Sequence, residues 1–275
     1  MDSHSAPARG ARPHPVGDLL RDWRGRRAMS QADLAFEAGI SIKHLSFVET
    51  GKAVASRDIL LQLAAALGLS LRDRNALLEA GGFARQYGER DLAAPEIADA
   101  RRAIDLLLRR HEPFPAIVTD RQWNVIVANR AATRLMTMLL GPERMQRPLN
   151  HMRMFLGPDE LRPFVENWPS LAAALLARAR HEAMAAPLDL SLQSTWRELL
   201  KLPDIAAPQF NEREAPGPLC EVRLRKGDVA VGLIGTVLTL GTPQDVTLQE
   251  LRVELFMPAD EASEAVLTAL AAQDA

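Results

Sequence analysis

Residues 30–52 read SQADLAFEAGISIKHLSFVETGK, and nearly every position that helix geometry would constrain there carries a residue type that meets the constraint. Ser30 is a good N-cap, because its hydroxyl can satisfy a free backbone N–H, and Asp33 three residues on completes an approximate capping box. A helix starting at Gln31 turns Leu34 and Ala35 inward. Ala35 has to be small, since a second helix crosses there, and Gly39 supplies the left-handed residue that ends the first helix. Ile40 then plugs the turn, Ser41 caps the second helix, Leu45 and Val48 lie three apart on its buried side, and Gly51 stops it. Each feature is weak alone. At these fixed offsets they read together as a helix-turn-helix.

The second helix carries the chemistry. With Leu45 and Val48 turned to the core, a rotation of about 100° per residue points Lys43, Ser46, Phe47 and Thr50 outward and leaves Ile42 at the exposed N-terminal shoulder. In such a motif the N-terminal residues of the second helix meet base edges in the major groove. Lys43 is suited to guanine O6 or N7, while Ile42 and Phe47 can make only apolar contact, for instance with a thymine methyl. Phe47 is equally suited to pack against a neighbouring helix or a second subunit. Gln31, at a helix N-terminus, and Lys52, just past the second helix, are placed for phosphates. Ser41 and Ser46 complete the candidate DNA-facing set, and the expected partner is double-stranded DNA.

Outward from this pair, a helix from about Gly17 to Ala28 turns Leu19, Leu20 and Trp23 inward and Arg21, Arg26 and Arg27 outward. Arg24 is the exception, because Glu49 lies at the margin of the second helix's buried face and an Arg24–Glu49 ion pair would tie the two helices together. Ser56 caps a fourth helix carrying Ile59, Leu60, Leu63 and Leu67, and Ser70 with Asp73 opens a fifth that Gly81 and Gly82 end. Residues 16–82 are therefore expected to form an all-α, five-helix domain. Residues 1–15 hold three Pro, two His and two Arg but no apolar run, which reads as a disordered tail and not a signal peptide.

Length and composition set the wider frame. A chain of 275 residues, 47% hydrophobic and 25% charged, is ordinary for a globular protein of about two domains. The net charge of -2 is unevenly spread: residues 1–85 hold 12 Lys and Arg against 9 Asp and Glu, and the remainder 21 against 26. A basic head on a mildly acidic body fits DNA binding by the head. The lone Cys220 excludes an internal disulfide and a multi-cysteine metal site, and a cytoplasmic location is expected. The longest uncharged stretch, Val229 to Gln244, is broken by Gly and rich in Val, Ile and Thr, so it reads as strand and no membrane span is expected.

Residues 83–96 lack apolar periodicity and read as a linker. A helix from about Glu96 to Arg110 follows, with Ile97, Ala100, Ile104, Leu107 and Leu108 on one face; it suits a dimer helix or the lid of a second domain, 97–275. From Pro113 the texture changes: PFPAIVTDRQWNVIVANRAATRLM reads as two strands around an Asp120-Arg121 turn, then a helix. Residues 159–200 read as helices broken by Pro163, Pro169 and Pro187. LCEVRLR, VAVGLIGTVLTL and, after the Thr242–Asp245 turn, VTLQELRVELFMP read as three antiparallel strands. Two strands, a helical middle and three strands make an α+β, PAS-like domain with a mainly antiparallel sheet, an architecture that can enclose a small-molecule pocket.

Helix one, SQADLAFEAGIS, HLSFVETGK, the capped fourth helix and RNALLEAGGF together resemble the lambda-repressor-like, xenobiotic-response-element (XRE) family of transcription regulators. That resemblance implies binding to pseudo-palindromic operators as a homodimer, with base-reading positions at Ile42, Lys43 and Phe47, a phosphate-contacting glutamine at Gln31, and a buried ion pair of Arg24 and Glu49. Ile42 and Phe47 are apolar where members of the family often carry polar side chains. PAIVTD (115–120), WNVIVAN (123–129), Asn167-Trp168 and LGTPQDVTLQELRVELFMPAD are similar to the MmyB-like ligand-binding domain. This second resemblance implies a PAS-like sensor and a small amphipathic, fatty-acid-like effector, with no cofactor beyond it.

For the effector, the methionine-rich stretch offers Leu135, Met138, Met152, Met154 and Phe155, since Met is a pliable pocket liner. Ile117, Val127, Trp168, Leu175, Leu233 and Leu238 are further candidates, and Arg178, with Arg153 and Arg162, is suited to hold a carboxylate bidentately. Two rival classes remain. An acyl-processing enzyme would need a nucleophile and a base, yet no G-x-S-x-G, zinc-helix spacing or phosphate-binding Gly loop occurs, so no catalytic or metal site is expected. A helix-turn-helix that serves only protein interaction, with a non-sensing C-terminal domain, would leave Lys43, Gln31 and Lys52 without a purpose.

Overall fold

Four serines set the frame of the N-terminal half. In a computed structural model, α1 (Pro15–Arg26), α2 (Gln31–Glu37), α3 (Ile42–Glu49), α4 (Arg57–Ala66) and α5 (Leu71–Ala80) follow one another, and the last four open on Ser30, Ser41, Ser56 and Ser70. Each hydroxyl accepts from the backbone N–H three residues on. The first of these is a full capping box, because the Asp33 carboxylate also takes the Ser30 N–H at 2.8 Å. Leu20, Trp23, Leu34, Leu45, Leu60 and Leu63 are wholly buried in one core, each worth roughly 1.5–3 kcal/mol of transfer free energy before entropy is charged against it.

The structure describes residues 15–186, 189–205 and 220–273, divided into two units, Met1–Gly88 and Glu89–Ala275. The expected tail, apart from Pro15, and the break expected at Pro187 lie outside the described residues. Two glycines of the head are fixed by geometry. Gly39 sits at φ 66°, which lets the chain leave α2 and enter α3 within a few residues. At Gly17 a Cβ would lie 2.2 Å from the backbone oxygen of Glu49, so α1 and the end of α3 meet at backbone contact.

The second unit is built on a five-stranded antiparallel sheet of β1 (Ala116–Thr119), β2 (Val125–Ala128), β3 (Glu221–Lys226), β4 (Val229–Leu238) and β5 (Arg252–Pro258), in the order β2-β1-β5-β4-β3. The register assigns residues to faces. Val118 pairs with Val127 and Val253, and on this outer face Ile104 and Leu108 of α6 (Ala98–Arg110) pack over Ala116, Val118 and Val253. Ile117 pairs with Glu254, on the inner face. That face is covered by α7 (Arg130–Leu140), α9 (His151–Leu156), α10 (Trp168–Ala185) and α11 (Leu190–Leu199), while the short α8 (Pro142–Met145) links the first two. Asn129 joins sheet to layer: its Oδ1 caps Ala132 and accepts from Ala116, both at 2.9 Å, and its Nδ2 donates to the Phe114 carbonyl at 2.8 Å.

The structure differs from the expectations at the last strand and adds detail after it and in the stretch between the units. VTLQE does not extend the last strand; it forms α12 (Val246–Glu250), because the Asp245 side chain accepts from the N–H groups of Thr247 and Leu248 and starts a helical turn. After β5, α13 (Glu261–Ala272), capped by Asp260, packs back toward β4 and α7 through Leu267; no such helix was expected. The stretch 83–96 contains the boundary between the two units and is largely exposed, yet each part of it is bonded to its own unit. Asn75 accepts from the backbone of Gln86 and Tyr87 at 3.0 and 3.1 Å, whereas farther on Arg101 donates to Leu92 and Arg90 pairs with Asp245, both at 2.9 Å.

Candidate functional site

In the head, α3 presents two unlike faces. Leu45, Val48 and Glu49 are buried, while Ser41, Ile42, Lys43 and Phe47 are exposed and Ser46 is half-buried. The aromatic ring of Phe47 has two cations within cation–π range, Lys43 Nζ at 5.6 Å and Lys52 Nζ at 6.0 Å from its centroid. Ile42, at 52% exposure, extends this apolar and basic surface toward the start of the helix. Exposed beyond it is Phe36 of α2, at 84%. Sequence reasoning passed over Phe36, although the inward turn of Leu34, Ala35 and Ala38 already implied that position 36 faces out.

What holds this face in place is Glu49, only 1% exposed. Its carboxylate accepts from Arg24 Nε at 2.9 Å and Nη2 at 3.2 Å, and from Gln31 Nε2 at 2.7 Å. Its backbone oxygen takes Arg21 Nη1 at 2.8 Å, and Arg24 Nη1 also reaches the Met29 carbonyl at 3.0 Å. One carboxylate thus ties α1, α2 and α3 at a single point. Gln31, expected only at phosphate, has one amide N–H committed to this knot and a second left over.

In the second unit the inner face of the sheet leaves two neighbouring cavities. The smaller, about 40 Å³, has an almost wholly apolar wall that includes Ile117, Leu135, Met154, Phe155, Leu161 and Leu233. The larger, about 220 Å³, lies between α9, α10 and the sheet, and has Leu171, Leu175, Val222, Val237 and Phe256 on its wall with Arg178, Glu254 and His151. His151, Phe155, Val222 and Phe256 border both.

The polar end of the larger cavity is a buried network. Arg178 Nη2 and Nη1 donate to the two oxygens of Glu254 at 2.7 and 3.1 Å, and Arg178 Nε donates to Glu182 at 3.1 Å. His151 Nδ1 stands 3.9 Å from Glu254 Oε1, is fully buried, and has no hydrogen-bond partner. Burial pushes the His151 pKa below its ordinary value, and nearby Arg178 adds to this, against the opposing pull of Glu254. Burial also works against the Arg178 charge, but its bonds to Glu254 and Glu182 outweigh that and raise its pKa. Cys220, on the same wall, has its thiol pushed up by burial, away from the reactive thiolate.

The structure brings together only part of the expected ligand set. Ile117, Leu135, Met154, Phe155, Leu175, Arg178 and Leu233 border the cavities. Val127 and Leu238 do not, for they lie on the outer face beside Val118 and Val253, each 37% exposed. Met152 is fully buried in the core away from either cavity wall, Met138 packs at the core's edge, and the Trp168 indole donates to the Phe155 carbonyl at 2.9 Å beneath the Arg162 guanidinium. The three arginines suited to a carboxylate are each paired within the chain: Arg153 with Glu198, Arg162 with Asp204, and Arg178 with Glu254 and Glu182. His151, Glu182 and Glu254 were missed as site residues. An isolated Glu at an inward-facing strand position was the signal that was available for Glu254.

Residues 100–270 match the family model described as MmyB-like transcription regulator ligand binding domain, and residues 15–77 match one described as a helix-turn-helix domain. Comparison with curated proteins gives no match. Among solved structures the chain is similar to one titled "Structure of an RNA-binding Light-Oxygen-Voltage Receptor", at 10% identity and a TM-score of 0.28. That alignment covers 95% of this chain and 64% of the other, so the chain spans under two thirds of that protein's length. Among the described residues no helix is long and apolar enough to cross a membrane, and no cluster of three or more His, Cys, Asp or Glu side chains is placed to hold a metal ion.

Proposed function

Because this chain belongs to the MmyB-like transcription regulators and carries a helix-turn-helix domain ahead of its ligand-binding domain, we propose that it is a one-component regulator that binds a pseudo-palindromic operator as a homodimer. The observation that carries this reading is the split of α3, whose buried face is pinned by Glu49 while Ile42, Lys43 and Phe47 stand free at its exposed side. Lys43 donates to a guanine edge, Ile42 and Phe47 meet thymine methyl groups, Ser41 and Ser46 complete the surface, and Gln31 and Lys52 hold phosphates. Half-sites lie about one helical turn apart, roughly 10 base pairs, or a multiple of it.

The C-terminal domain is read as a PAS-like sensor for a small amphiphile, fatty-acid-like in its tail. The strand order, the helical layer over the inner face and the largely apolar cavities beneath it support this. The homodimer is supported by the unpartnered apolar side chains Val127, Leu238 and Met257 on the outer sheet face and Leu106 on α6. The effector acts by favouring one arrangement of the two heads, since a ligand that binds both arrangements equally shifts nothing.

The test is operator binding by fluorescence anisotropy, on a duplex selected from a random pool, at several salt concentrations. Lys43→Ala should cost about 1–3 kcal/mol of affinity and relax preference at one base position, while Lys52→Ala should weaken binding to all sequences and flatten the log–log salt slope by about one unit. Absent or salt-insensitive DNA binding sinks the regulator in favour of a protein-interaction module.

A further inference from the structure

The larger cavity ends in groups that already satisfy one another's charge. Arg178 spends three of its five N–H groups on Glu254 and Glu182, so one guanidinium faces two carboxylates before any ligand arrives. Beside them His151 Nδ1 has no partner, although its side chain is about 5% exposed, and it stands 3.9 Å from the nearest Glu254 oxygen, beyond hydrogen-bond reach. This is a polar gap at the end of an apolar chamber.

We propose that this cavity takes a neutral amphiphile whose head group donates a hydrogen bond, an alcohol or a primary amide, in preference to the carboxylate of a fatty acid. The inference rests on the reading of the C-terminal domain as an amphiphile sensor and specifies the head group. A ligand carboxylate would set a third negative charge against one positive charge where water is scarce. If it instead displaced Glu254 from Arg178, it would strand a carboxylate that is 2% exposed. A donor fits either imidazole tautomer. Where Nδ1 is bare, it accepts from the head group; where Nδ1 carries the proton, the head group's oxygen accepts it and the head group donates onward to Glu254, which as a carboxylate can only accept. An anionic head group donates to neither. At about 220 Å³ the chamber has room for a medium-length tail.

The experiment uses the full chain, stripped of bound lipid, and calorimetric titration with octanamide, octan-1-ol and octanoate near neutral pH. These share one eight-carbon skeleton and differ in the head group. Octanamide and octanol should bind at least about tenfold more tightly than octanoate. Glu182→Gln, which leaves the Arg178–Glu254 pair in place but removes one negative charge, should narrow that gap, and Glu254→Gln should narrow it further or reverse it. Octanoate binding as tightly as the neutral ligands to the wild-type chain overturns the head-group inference and leaves the sensor standing. If none of the three binds, the sensor reading falls and the inference falls with it.

Discussion

Two buried glutamates, one in each unit, are held alike and placed differently. Glu49 and Glu254 are 1% and 2% exposed, and each accepts two bonds from one arginine. Around Glu49 the remaining capacity is filled by Gln31, and Gly17 brings backbone against the same residue. Around Glu254 it is not filled: a histidine nitrogen stands out of reach and a cavity opens beside it. A saturated buried carboxylate is a fastening. In the reading proposed above, an unsaturated one at the wall of a cavity is a recognition element, with donor and acceptor capacity left over for a ligand.

Removing each arginine is the harshest way to break this contrast. Arg24→Ala leaves Glu49 buried and charged without its ion-pair partner, and should lower the stability of the head by about 3–5 kcal/mol. Arg178→Ala should cost the second unit less, about 1–3 kcal/mol, because removing a side chain that is itself 24% exposed opens the closed end of the cavity to solvent beside the abandoned Glu254. Differential scanning calorimetry of the full chain, resolving one transition per unit, measures both, and equal losses would erase the distinction.

Titration sharpens the comparison more gently. His151 is held neutral by burial, so the folded chain binds fewer protons than the unfolded one below the ordinary imidazole value of 6.5. Stability of the second unit should therefore be full above 6.5 and decline as pH falls through it, with the loss continuing down to the depressed folded value. The groups facing this imidazole are Glu254, Arg178 and the rings of Phe155 and Phe256. The head transition should not share the step, and His151→Phe should remove it; melts across that range decide the matter. The mildest perturbation is Ser30→Ala, which takes away the N-cap of α2 and should cost the head about 1 kcal/mol, read from the midpoint of its transition.

The two units were unequally legible in the sequence. The head is a run of local signals: a serine before each of α2 to α5, a glycine at the α2–α3 turn, and leucines at helical spacing. Its core and exposed face follow from offsets of three and four. The second unit gave up its strands, because alternation is also local, but not the α12 turn, where a capping Asp245 overrides a β-rich sequence. The cavity was the hardest to foresee. Whether Val127 or Leu238 faces the helical layer depends on pairing with strands far along the chain, and a shift of one residue in register moves a side chain to the other face. Glu254, Arg178 and His151 come from three elements and meet only in the folded sheet, so no spacing in the sequence announces them.

The division of labour along α3 has a consequence for how such a protein diversifies. The side chains of α3 that are buried against the rest of the head are Leu45, Val48 and Glu49, whereas those of Ile42, Lys43 and Phe47 contribute little to the core. Substitutions at the free positions should fall within the small stability changes usual for surface sites, about 0.5 kcal/mol either way. On the proposed function, the head is in effect a socket with an exchangeable key: new operator preferences would be written on three or four positions while the scaffold beneath them is left untouched.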